Sequence, residues 1–355
     1  MRGSDASTLE LRDQRGVALR GAAAAYPSDV VGAKARLDAA GAYERLLGAG
    51  WADELARTGR ALEHVENVHG VRTRQWRIRG APSAVELGAL AARRCLERAG
   101  WRESELDLLV AATSTPEHAT KCFAAQLGAE LGVCAAALDV RGGGAGGLDA
   151  WITAALYLRA GARRALVVAV ESTSPWLDAH SGSSALLFGD GAAALALERV
   201  DADQDCGLEL SLQSRRDGAG LAFSVSAALP PTEGASARYR FDAPDAAYQA
   251  SVAAAWSSCA REFAQRAAPD ADSVFAPYAV TRAQVTACAT ELGLDPQLAL
   301  AHLREYGALG CAGPLALVAQ AFDSGARSNS ITAIAVGGGV RCAALRWRLS
   351  EGWRR

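Results

Sequence analysis

Hydrophobic positions fall into two periods along the chain. Ala165–Val170 is a continuous apolar run of strand length, and Leu106–Ala112, Ala136–Val140 and Ser330–Val336 are apolar-rich segments of the same length; the first two of these four predict buried strands and the others strands. Between them the period changes to three and four. Ala84, Leu87, Gly88, Ala91, Ala92, Cys95, Leu96 and Ala99 share one helical face, and Gly100 closes the helix as a C′ residue. A second helix is predicted from Lys121 to Leu131, ended by Gly132. A third follows the glycines at 142–147, with Leu148, Ile152, Ala155 and Leu156 on one face and Trp151 and Leu158 widening it, so it should be buried against a sheet; Gly161 ends it.

Elsewhere the pattern is looser. Val17 to Tyr26 reads as a first strand stopped by Pro27, and an Ala-heavy helical stretch runs to about residue 66. Gly70 to Ile78 alternates like a hairpin or loop and carries Arg72, Arg74 and Arg77. These arginines are either a solvated surface or a cationic rim for a phosphate-bearing ligand. The stretch 201–244 is loop-rich, and a long helix is predicted over Asp245–Ala267.

The second half then repeats the first. Strand Ser273–Tyr278, helices Thr281–Leu292 and Pro296–Tyr306, a glycine turn at Gly307–Gly310, helix Ala312–Phe322, strand Ser330–Val336 and strand Cys342–Leu349 follow in order. The alternation predicts an α/β protein with mostly parallel sheets covered on both faces. It divides into two similar halves, 1–174 and 175–355, joined without a linker.

One corner stands out. In Leu138-Asp139-Val140-Arg141-Gly142-Gly143-Gly144-Ala145-Gly146-Gly147 a short strand runs through five glycines directly into a helix. Strand, sharp turn and helix lift one residue to the top of a sheet and aim helix N–H groups at what sits there. Gly144 stands where a nucleophile is expected.

Composition narrows the function classes. Among 355 residues half are apolar, and Lys+Arg 37 against Asp+Glu 39 leaves a net charge of −2. No basic tract or acidic tail supports a nucleic-acid partner. The apolar runs are far shorter than the ~20 residues of a membrane helix. Eight scattered cysteines with no C-x-x-C pair read as reduced thiols of a cytoplasmic protein, and the five histidines lack metal spacing. No metal and no signal peptide are expected.

The order Ala112-Thr113-Ser114-Thr115-Pro116, Asp139 before the corner, Phe188-Gly189-Asp190-Gly191-Ala192, Tyr306-Gly307 and Val336-Gly337-Gly338-Gly339 resembles the thiolase superfamily. It looks most like the β-ketoacyl-acyl-carrier-protein synthase III branch, including its acyltransferase-like members. The resemblance covers nearly the whole chain. It implies a five-layered αβαβα fold of two duplicated halves, a homodimer across central strands, and acyl groups delivered on coenzyme A or a carrier protein's phosphopantetheine arm, with no permanently bound cofactor.

In that family a cysteine at the corner takes the acyl group, while a histidine and an asparagine donate hydrogen bonds to the developing oxyanion or enolate. Matching the motifs places Gly144 at the cysteine, Tyr278 at the histidine and Ala308 at the asparagine. Some acyltransferase-like relatives use a histidine there and an aspartate before a proline, and those positions fall on Ala308 and Gly313. Gly143, Gly338 and Arg74 are carried over as substrate-binding positions, and Thr120 as the residue capping the partner's acyl pocket.

Gly144 retains only its backbone N–H, to hold a carbonyl or to permit close packing. Tyr278 can hydrogen-bond but is a poor base at neutral pH, and it could equally plug a cavity. Cys122 and Cys311 lack the activating position and read as structural; His118 and His180 are placed on loops. The leading reading is a ketosynthase III-like protein of polyketide or fatty-acid-type secondary metabolism that lacks the acyl-accepting cysteine and serves as partner subunit to an active homologue. The alternative is a divergent acyltransferase or condensing enzyme that transfers directly from acyl-coenzyme A or acyl-carrier protein with no acyl-enzyme. A third is a scaffold that retains only thioester recognition.

Overall fold

Local sequence sets the ends of the main helices. Ser83 accepts from the Glu86 N–H at 3.1 Å while Glu86 reaches back to the Ser83 N–H at 2.7 Å, a reciprocal cap that starts the helix at Ala84. Gly100, in the left-handed region at φ 68°, stops it. Thr281 and Gln284 form the same cap further on.

The structure, a computed structural model, describes residues 8–354 apart from 59–61, 64, 119, 178–185, 202, 216–245 and 338–340. The strands are β1 Thr8–Arg15, β2 Val17–Ala25, β3 Arg36–Leu37, β4 Arg74–Gln75, β5 Leu108–Ala112, β6 Ala136–Val140, β7 Arg164–Glu171, β8 Gly191–Arg199, β9 Gly207–Arg215, β10 Val274–Pro277, β11 Ser330–Gly337 and β12 Arg341–Arg348. The helices are α1 Ser28–Val31, α2 Ala39–Leu47, α3 Trp51–Thr58, α4 Ala84–Ala99, α5 Phe123–Leu131, α6 Gly146–Ala160, α7 Ala246–Arg266, α8 Arg282–Leu292, α9 Gln297–Tyr306 and α10 Gly313–Asp323. None of the described helices is long and apolar enough to cross a membrane.

Two five-stranded sheets, ordered β2-β8-β7-β5-β6 and β1-β9-β12-β11-β10, stack with helices between and outside them. Helices α4 and α5 cover the outer face of the first sheet, α6 and α10 lie between the sheets, and α7 and α8 cover the second. That is the five-layered α/β arrangement. Helix α6 is buried over most of its predicted face, with Leu148, Trp151 and Leu158 at 0 % exposure, but Leu156, read on that face, is exposed.

Two sequence expectations need correction. The sheets are mixed, not mostly parallel: β5 runs parallel to β6 and β7, and β10 to β11, but β2–β8, β7–β8, β11–β12, β9–β12 and β1–β9 are antiparallel. No crossover helix among the described residues separates β7 from β8, and β11 and β12 are only three residues apart, so the chain turns back on itself there. The strands also do not divide at residue 174, because β8 joins the sheet of β2, β5, β6 and β7 while β1 joins the sheet of the later strands. The stretch 70–78, read as a hairpin or loop, is a loop apart from the two-residue strand β4, which pairs with β3.

Candidate functional site

Strand β6 delivers the chain to the glycine corner. Gly143–Ala145 forms one tight turn, with Gly143 at φ 56°, and α6 starts at Gly146. What meets the corner comes from the far half of the sequence. A Cβ on Gly144 would lie 2.1 Å from Tyr278 Cε1, and one on Gly147 2.1 Å from the Cys311 carbonyl oxygen. Neither position tolerates a side chain as packed.

The three positions that the resemblance singles out therefore come together. The Tyr278 ring lies flush on Gly144 and is 9 % exposed, held by its own N–H donating to the Ile334 carbonyl at 2.8 Å. Tyr278 and Ala308 line one small cavity of about 20 Å³ with Pro277, His302, Leu309 and Gly313, room for about one water molecule. Ala308 is zipped to the turn before β8, its N–H donating to Leu187 O at 2.8 Å and its carbonyl accepting from Gly189 at 3.0 Å.

Other predicted residues sit apart. Arg74 is fully buried, its Nε donating to the Leu186 carbonyl at 3.0 Å, and burial pulls its pKa down to about 10. The rim therefore does not include Arg74. Arg72 is exposed, and Arg77 pairs with Glu117 at 2.8 Å. Thr120 and His118 are exposed on the loop before α5. Gly143 is in the corner itself; Gly338 and His180 lie outside the described residues.

The two spare cysteines sit in different surroundings. The buried Cys311 thiol donates to the Ala112 carbonyl at 3.4 Å, and burial, then the adjacent Glu171 carboxyl, pushes its pKa well above the usual thiol range. Cys122 is half-buried at the start of α5, where its Sγ lies 3.4 Å from Asp139 Oδ1. That carboxylate also accepts from the Phe123 and Ala124 N–H groups, so Asp139 caps α5.

Three buried polar groups around the corner escaped the sequence reading. Glu171, at the end of β7, accepts from the Ser114 and Cys311 N–H groups and the Thr115 hydroxyl, and burial raises its pKa. Its signal was an acid at the end of an otherwise apolar strand. His302 is 4 % exposed, bonded through Nδ1 to Gln320 Oε1 at 2.8 Å, and burial lowers its pKa to about 4. Asp149, 3 % exposed in the first turn of α6, pairs with Arg341 at 2.6 Å and accepts from Gln213. No spacing in the sequence announces the last two.

Two stacked mixed sheets with a glycine corner between them define a thiolase-like α/β protein. Residues 138–216 match the model of the 3-oxoacyl-[acyl-carrier-protein] synthase III family. The chain is 32% identical over 288 residues to the β-ketoacyl-[acyl-carrier-protein] synthase III of Rhizobium meliloti, covering 78% of this chain and 88% of that protein. The enzyme of the same name from Agrobacterium fabrum is 31% identical over 289 residues, with the same two coverages of 78% and 88%. The chain belongs to the β-ketoacyl-[acyl-carrier-protein] synthase III family. Its fold superposes on the 3-oxoacyl-[acyl-carrier-protein] synthase III of Pseudomonas aeruginosa with a TM-score of 0.74 at 22% identity, covering 95% of this chain and 99% of that one. It also superposes on the priming β-ketosynthase of a polyketide biosynthetic pathway with a TM-score of 0.77 at 22% identity, covering 96% and 98%.

Proposed function

We propose that this chain is a non-nucleophilic ketosynthase III-like subunit, a cytoplasmic protein that dimerises with an active homologue and helps it accept acyl groups from acyl-coenzyme A or an acyl-carrier protein. The observation that carries this reading is the Tyr278 ring seated on Gly144. A glycine cannot be acylated, and the space above it is filled by an aromatic side chain instead of substrate. The remaining cavity of about 20 Å³ is too small for an acyl thioester. Thr120 stays exposed on a loop, as a residue reaching a partner's pocket must be.

Mass spectrometry after co-expression with an intact-cysteine homologue tests the proposal. The expected result is a co-purifying pair in which acyl-coenzyme A adds one acyl group, on the homologue alone. Turnover of acyl thioesters by the isolated chain, abolished in Tyr278→Phe, would instead establish direct transfer without an acyl-enzyme. An adduct on Cys122 or Cys311 would overturn both readings.

A further inference from the structure

A second, larger cavity lies on the other side of the turn that holds Ala308. It measures about 600 Å³ and is lined by Arg45 and Leu46 from α2, the segment 76–81, and Ser174, Pro175 and Leu177 after β7. It shares no lining residue with the Tyr278 cavity.

Its walls combine charge with an apolar shelf. Arg45, Arg77 and Arg79 line it, and none of its described lining residues is a carboxylate. Arg77 is committed to Glu117 at 2.8 Å, whereas Arg45 and Arg79 are exposed and have no ion pair among the described residues. Leu46, Ile78, Pro175 and Leu177 supply the apolar side.

The floor is rigid. The Trp76 indole N–H donates to the Phe188 carbonyl at 2.8 Å, and the Arg77 N–H donates to the fully buried Asp190 carboxyl at 2.7 Å. Ser174 donates to the same carboxyl through its N–H at 2.8 Å. Both rims of the cavity are therefore pinned to one buried acid.

We infer that this cavity binds a small organic phosphate, with the phosphate held by the Arg45 and Arg79 guanidinium groups and the organic body lying against Ile78, Pro175 and Leu177. Guanidinium forks match phosphate oxygens in pairs and are weakly hydrated, so they bind phosphate better than point charges do. The volume suits a ligand of nucleotide size. The cavity is separate from the one that Tyr278 lines, so its occupancy does not require the ring to leave Gly144.

Calorimetric titration of the full chain with ADP, inorganic pyrophosphate and adenosine tests this. ADP should bind saturably, adenosine should not, and pyrophosphate should compete with ADP. Replacing both Arg45 and Arg79 with alanine should weaken ADP at least about tenfold, with the melting temperature unchanged because both side chains are exposed. Arg159→Ala, an exposed arginine on α6, should leave affinity as it was. Absence of ADP binding at millimolar concentration, or unchanged binding in the double arginine variant, would overturn the inference without touching the partner-subunit reading.

Discussion

At the scale of single residues, Gly144 and Tyr278 are a matched pair. A methyl at 144 must displace a ring whose nearest carbon is 2.1 Å from its position, so Gly144→Ala should cost about 1–3 kcal/mol by overpacking. Tyr278→Ala, which empties a buried site, should cost roughly 3 kcal/mol. The double variant should lose clearly less than the sum, and urea denaturation of all four proteins measures that coupling. Additive losses would show that the contact does not shape the corner. His302 and Asp190 set opposite pH dependences. His302 has a folded pKa of about 4, below the unfolded 6.5; between those values the unfolded chain binds the extra proton, so stability rises with pH across that window by up to ~3 kcal/mol. Asp190 has its pKa raised to about 6 from 3.8 by burial, so the folded chain holds the extra proton and stability falls as pH rises from about 4 to 6. Urea midpoints from pH 4 to 6.5 should lose their upward component in His302→Gln and their downward component in Asp190→Asn. Gly144 was legible in the sequence as the corner residue, whereas the ring covering it comes from a position 134 residues later, and no local pattern links the two.

At the scale of elements, the helices were the most readable. Period, N-cap and glycine stop agree for α4, and the observed Ala84–Ala99 follows from Ser83, Glu86 and Gly100. Ser83→Ala should cost about 1 kcal/mol by removing one half of the reciprocal cap, read as a lower melting temperature with an unchanged circular dichroism spectrum. The strands were read less completely. Thr8–Arg15 is polar and partly exposed, and its strand exists because β9 offers an edge, with seven paired positions from Thr8↔Ser214 to Arg15↔Gly207. Its apolar alternation is limited to Leu9 and Leu11, too short to mark a strand by itself. Deleting residues 1–15 should bare the β9 edge, and light scattering on warming should then show aggregation at a lower temperature than in the full chain. Unchanged aggregation would mean that β1 does not protect the sheet.

At the scale of the whole molecule, one polar cluster anchors the helix that lies between the two sheets. Asp149 on α6 meets Gln213 of β9 and Arg341 of β12, so the helix between the sheets is fastened to the second of them. Arg341→Ala should destabilise by about 1–2 kcal/mol, because Asp149 is left buried without its cation while part of the Arg341 side chain is already in water. Arg341→Lys should recover a part of this in the same denaturation series. What the sequence determined by itself is the succession of elements, the α/β class and the corner, since periodicity, caps and glycine turns act over a few residues. The tertiary structure decided the strand directions, the burial of Arg74, the partners of Asp149 and Glu171, and the closure of Gly144 by Tyr278. Each of these depends on which distant surfaces pack together, and the free energy that selects them comes from excluding water between segments that the sequence keeps far apart.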